Sequence, residues 1–201
     1  MLKFCFRVTA FSLLVLSVGG VSSAGVIPTR AILNGASESP ANASPGTGIA
    51  DVDFDTTAHT MHVHVTFSGL LGGVTAAHIH AATASPFTGT ASVATQTPSF
   101  VGFPSGVTSG SYDHTFDLTL ASTYRAGFIT ANGGSIANSE AALLSAATHN
   151  TAYLNLHTNV VPSGEIRGFL TVVPEPSSFV LGGFGLVAVG FWTRRNRRKV
   201  A

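Results

Sequence analysis

The sequence predicts an all-β domain, an antiparallel β-sandwich or barrel with one short helix, flanked by a targeting segment at each end. Three observations predict it. Between positions 25 and 173 apolar residues recur with period two and not 3.6, the spacing of half-buried strands. Gly, Pro, Ser and Asn separate these stretches at short intervals, as turns do in sandwiches and barrels. The unbroken apolar runs lie at the two termini, each beside basic residues.

Positions 1–24 read as a secretory signal peptide. Lys3 and Arg7 supply the positive start, residues 8–21 the apolar run, and Ser22-Ser23-Ala24 the small residues before a cut after Ala24. The single cysteine, Cys5, lies in this segment, so a mature chain has neither a disulfide nor thiolate chemistry. About 150 residues remain, enough for a packed core.

Positions 25–173 form the domain. Residues 30–33 begin a strand, and 34–45 read as turn and loop. In 48–54, Ile49, Val52 and Phe54 oppose Asp51 and Asp53, with an irregular step near Ala50. In 60–67, Met61, Val63, Val65 and Phe67 face one way, and His62 and His64 the other. Glycines at 69, 72 and 73 break the chain before a strand over 75–81. Residues 85–110, rich in Pro, Gly, Ser and Thr, read as a long, partly ordered loop. Residues 112–120 alternate again. Asn138 is a cap candidate for a short helix over roughly 139–147, with Glu140 in its first turn. Strands over 151–157 and 165–173 close the domain.

Positions 174–201 form a second targeting segment. Pro174-Glu175-Pro176 ends the last strand, because proline cannot continue a ladder. Residues 177–193 are uncharged and mostly apolar, and as a helix span about 25 Å of a hydrocarbon core about 30 Å thick. Trp192 falls at an interface position. The basic cluster 194–199 marks a cytoplasmic end. This is read as a transmembrane helix, at least transiently inserted.

Charge and motifs exclude several functions. The domain holds three basic residues (Arg30, Arg125, Arg167) and eight acidic ones, a net of −5. Phosphate backbones need clustered Lys and Arg, so nucleic acid is not a partner. No glycine loop follows a strand and opens a helix, so nucleotide use is not expected. No nucleophile–base arrangement is legible, and the chain is read as a non-enzyme with no catalytic residues.

The chemistry-bearing residues are histidines. His59, His114 and His149 fall near turns or strand starts and are read as solvated, and His62 and His64 as facing solvent or a side cavity. His78 and His80 stand two apart on a strand, so both point to one face. With His157 they make three imidazoles, a donor set suited to Cu or Zn, with Glu165 as a fourth ligand or an orienting carboxylate. The competing reading is structural. His78, His80, Asn155, His157, Glu165 and Arg167 would form a satisfied polar network, with Glu165 and Arg167 paired on one strand face.

Two resemblances follow. Pro174-Glu175-Pro176, the apolar stretch 179–192 and the basic end 194–199 resemble the PEP-CTERM sorting signal. That resemblance implies a Gram-negative bacterium making extracellular polysaccharide. It also implies recognition by an exosortase-type enzyme after signal-peptidase cleavage, and passage from a membrane-anchored intermediate to the envelope or exterior. The blocks 31–40, 67–70, 76–80, 153–158 and 164–170 resemble, in order and spacing, the CHRD (chordin-like) domain, with Ser37, Ser39 and Phe169 departing from its usual residues. That family is extracellular and β-rich and brings no established reaction. The expectation is thus an exported, non-enzymatic β-domain acting in the extracellular matrix or biofilm. Its partners would be polysaccharide or envelope proteins. The alternative is a Cu- or Zn-binding, redox-capable module on His78, His80 and His157.

Overall fold

The computed structural model describes residues 25–173. The predicted signal peptide (1–24) and the sorting segment (174–201), with its helix at about 177–193, lie outside the described residues. Among the described residues no helix is long and apolar enough to cross a membrane.

Eight strands and two helices follow in order: β1 (Val26–Asn34), β2 (Thr47–Asp55), β3 (Thr60–Ser68), β4 (Val74–His80), β5 (Gly110–Asp117), α1 (Ala126–Ala131), α2 (Ile136–Thr148), β6 (Tyr153–Thr158), β7 (Ile166–Phe169) and β8 (Thr171–Val172). The strands form one curled antiparallel sheet, a half-barrel, in the order β4-β6-β7-β1-β2-β3-β5, with β8 beside β1. The inner face carries the residues that the two-residue period selects. Leu33, Val52, Phe54, Met61, Val63, Val65, Phe67, Tyr112, Phe116, Leu154 and Leu156 are all buried.

The expected irregular step near Ala50 is absent. β1 and β2 pair without interruption from Val26↔Asp55 to Asn34↔Thr47. Ala50 therefore lies in the core and Ile49 is 42% exposed. Side-chain size had favoured Ile49 as the inward residue, but strand alternation decides the face.

The helical region is larger than expected. α2 begins at Ile136, and the Ser135 hydroxyl caps it by accepting the Asn138 N–H. Asn138 therefore lies inside the helix. Leu143, Ala146 and Ala147 bury its inner side. The six-residue α1 was not foreseen, because Gly127, Ile129 and Thr130 are weak helix formers.

β4 is an edge strand, and the segment between it and β5 covers it. Ala94 N–H donates to Ile79 O, Phe100 N–H to Ala77 O, and Gly106 N–H to Val74 O. Phe100 and Phe103 are buried and stack with Tyr112 and Phe67 respectively. The predicted long loop is thus an ordered strap, pinned by the unpaired backbone groups that an edge strand offers. β6, next inward, is mostly buried, and its Tyr153 hydroxyl accepts from Ala91 N–H of this strap.

Candidate metal centre

Register brings the polar residues onto the outer face of β4, β6 and β7. His78 lies opposite Asn155, Asn155 opposite Arg167, and Arg167 opposite Asn34. One row along, His80 faces Tyr153, and Tyr153 faces Phe169. One row the other way, Ala76 faces His157. Alternation along β4 and β6 then places His78, His80 and His157 on one side, with Ala77, Ile79, Leu154 and Leu156 in the core.

The proton position on each imidazole follows from its backbone partner. His78 Nδ1 lies 2.9 Å from Pro98 O, His80 Nδ1 2.7 Å from Ala91 O, and His157 Nδ1 2.9 Å from Pro162 O. A carbonyl oxygen only accepts, so each Nδ1 carries a hydrogen and donates it. On each neutral ring Nε2 is then a bare lone pair. His78 Nε2 and His157 Nε2 face one another at 3.1 Å, and His80 Nε2 is buried without a hydrogen-bond partner among the described residues. Three ring nitrogens, one from each histidine, lie within 4.8 Å of one another.

Two lone pairs aimed at each other repel unless something positive lies between them. A proton is one candidate, but burial works against it. Desolvation is the main cause that lowers His78 and His80 to about 4, and it lowers His157 as well. The other candidate is a metal ion. Three nitrogens about 2.0–2.1 Å from one ion stand roughly 3.3–3.5 Å apart; the His78–His157 pair at 3.1 Å is near that spacing, and the three nitrogens together lie within 4.8 Å. The carbonyl at each Nδ1 is the partner that a metal-ligating histidine ordinarily has on its second nitrogen.

Glu165 is not brought to the imidazoles. It precedes β7, and its carboxylate accepts from Ser44 Oγ, Thr158 Oγ1, Leu71 N–H and Gly72 N–H. Burial pushes its pKa up, but these four donors outweigh that and hold it below the ordinary value. The expected Glu165–Arg167 pair is therefore not formed. Arg167 instead donates to Ser37 O and Gly89 O, lies 3.9 Å from Glu38, and sits over the Tyr153 ring at 4.6 Å. Asn155 makes no satisfied network either, since its Oδ1 has no partner among the described residues. The six residues share a region, but they separate into an imidazole triad, a guanidinium–aromatic stack and a carboxylate held elsewhere. Sequence reasoning missed Tyr153, whose ring stacks on His80 at 4.7 Å. Its position two residues before Asn155 already placed it on this face.

Residues 29–170 match the family model of the CHRD domain. The chain belongs to the CHRD domain family. Every site residue named above lies within the matched span, and residues 172–198 match the PEP-CTERM protein-sorting motif, which includes Pro174, Glu175 and Pro176. Signals of that kind are recognised by an exosortase and direct export and sorting to the envelope or extracellular space. Neither family is enzymatic. No curated protein and no solved structure matches the chain.

The remaining histidines of the CHRD domain are not assembled into a similar centre. His62 and His64 share the exposed carboxylate of Asp113 at 3.1 Å each. His59 pairs with Glu140, tying the β2–β3 turn to α2. His149 closes α2 by donating to Ser145 O. His114, expected in solvent, is half-buried between Tyr112 and Phe116, because β5 alternation puts it on their face.

Proposed function

We propose that this CHRD domain is an exported metal-binding module that holds one Cu or Zn ion on His78, His80 and His157. One observation carries the reading: two imidazole nitrogens face one another at 3.1 Å while the second nitrogen of each ring is committed to a backbone carbonyl. The buried, unpartnered Nε2 of His80 completes the set. The PEP-CTERM motif supports a place of action in the envelope or outside the cell. The test is elemental analysis of the full chain purified without chelators, beside His80→Ala and His157→Ala. One equivalent of metal in the parent and less than a tenth in both variants is expected. Metal far below one equivalent, unchanged by either substitution, would overturn the reading.

A second reading, attachment to matrix polysaccharide, is favoured by a cavity of about 440 Å³ beside β7. Phe87 and Phe169 supply apolar ring faces there. Ser37, Ser39, Thr88 and Arg167 supply polar groups. Loss of polysaccharide retention in Phe87→Ala, with metal content unchanged, would support this use of the cavity. Unchanged retention would end it.

A further inference from the structure

The donor set that supports a metal site also constrains the charge of the ion. With hydrogen fixed on each Nδ1, all three ligands are neutral. Among the described residues no carboxylate lies within 4.0 Å of His78, His80 or His157. Glu165, the nearest in sequence to His157, is held by Ser44, Thr158, Leu71 and Gly72. The cation that the geometry places nearest the rings is Arg167, which lies 3.9 Å from Glu38 and sits over Tyr153. Arg167 reaches His80 through Tyr153, which carries the guanidinium at 4.6 Å and the His80 ring at 4.7 Å.

The cost of burying an ion grows as the square of its charge, and its repulsion from fixed cations grows in proportion to it. A dication is therefore penalised about four-fold in self-energy and two-fold in repulsion relative to a monocation at the same place. Zn(II) sites are ordinarily four-coordinate, so Zn(II) would need a solvent ligand here, and only a hydroxide or other anion there would offset its charge. A monovalent d10 ion is satisfied by three nitrogens in a plane.

Resting on the reading of the three histidines as a metal site, we propose that the ion is copper held as Cu(I), in preference to Zn(II) and Cu(II). The site binds either divalent ion more weakly, with a solvent ligand or an added anion completing its coordination. Its selectivity comes from missing negative charge more than from ligand type, since imidazole suits both metals. The Arg167–Tyr153–His80 stack and the absent carboxylate are then parts of one device.

The test is an anaerobic competition titration of the full chain with Cu(I), and separate titrations with Cu(II) and Zn(II), each against a chromophoric chelator. Cu(I) binding at one equivalent and at least 1,000-fold more tightly than Zn(II) is expected. Asn155→Asp sets a carboxylate beside His78 at almost unchanged volume and should narrow that preference at least ten-fold. Arg167→Gln, which removes the cation over Tyr153, should narrow it less, and serves if Asn155→Asp does not fold. One equivalent of Zn(II) or Cu(II) bound as tightly as Cu(I) overturns the proposal and leaves the metal site standing. A preference unmoved by both substitutions overturns its electrostatic cause. No binding of any of the three ions ends both readings.

Discussion

At His78, His80 and His157 the backbone fixes which ring nitrogen carries hydrogen before any ligand arrives. Burial then makes protonation expensive, and that has a thermodynamic consequence. In an unfolded chain each imidazole titrates near 6.5, whereas folding lowers His78 and His80 to about 4. Between those values the unfolded chain binds more protons. Metal-free stability from these rings is therefore complete above about pH 6.5 and is lost as pH falls toward 4. Glu38 acts in the opposite sense. Burial outweighs Arg167 and pushes it up to about 7, so its contribution is present below pH 4.5 and lost as pH rises through 7. Two imidazoles against one carboxyl leave a net loss on acidification from these three groups. Urea unfolding of the metal-free chain at pH 7 and 4.5 should show that loss. His78→Gln should reduce it by on the order of 2 kcal/mol. A loss of the same size in the variant would contradict the buried, neutral state of His78.

The strap over β4 connects packing to the centre. Phe100 is 2% exposed, stacks on Tyr112, packs at a tilt against Phe116, and donates its N–H to Ala77 O. Pro98, two residues earlier, supplies the carbonyl that orients His78. Phe100→Ala should therefore cost about 3–5 kcal/mol in unfolding free energy. It should also weaken metal binding at least ten-fold under conditions where the variant remains folded. A stability loss with unchanged metal affinity would show that the strap covers β4 without positioning the ring. The strap also marks the limit of sequence reading at this scale. Period-two alternation located β1, β2, β3, β5 and β6, because each has one inward and one outward face. Residues 81–109 have no period, since their order comes from hydrogen bonds to the edge of β4 and from single anchors such as Phe100. α1 was missed for a related reason, as packing against α2 and the core holds a segment whose own helix propensity is weak.

Across the whole molecule, a PEP-CTERM sorting motif accompanies a CHRD domain. The sequence spacing located the triad, because His78-Ile79-His80 and Asn155-Leu156-His157 are strand patterns whose faces can be counted. It could not give the Nδ1 partners, which are backbone carbonyls of Ala91, Pro98 and Pro162 and leave no trace in residue type. It also misplaced Glu165, because two-residue spacing means a shared face only inside a strand, and Glu165 lies before β7. The central claim is that the three Nε2 nitrogens are metal ligands. X-ray absorption at the metal edge of the loaded full chain tests it most directly. A shell of three nitrogen donors at about 2.0 Å with imidazole scattering is predicted. A shell of oxygen donors, or one without imidazole scattering, would contradict it.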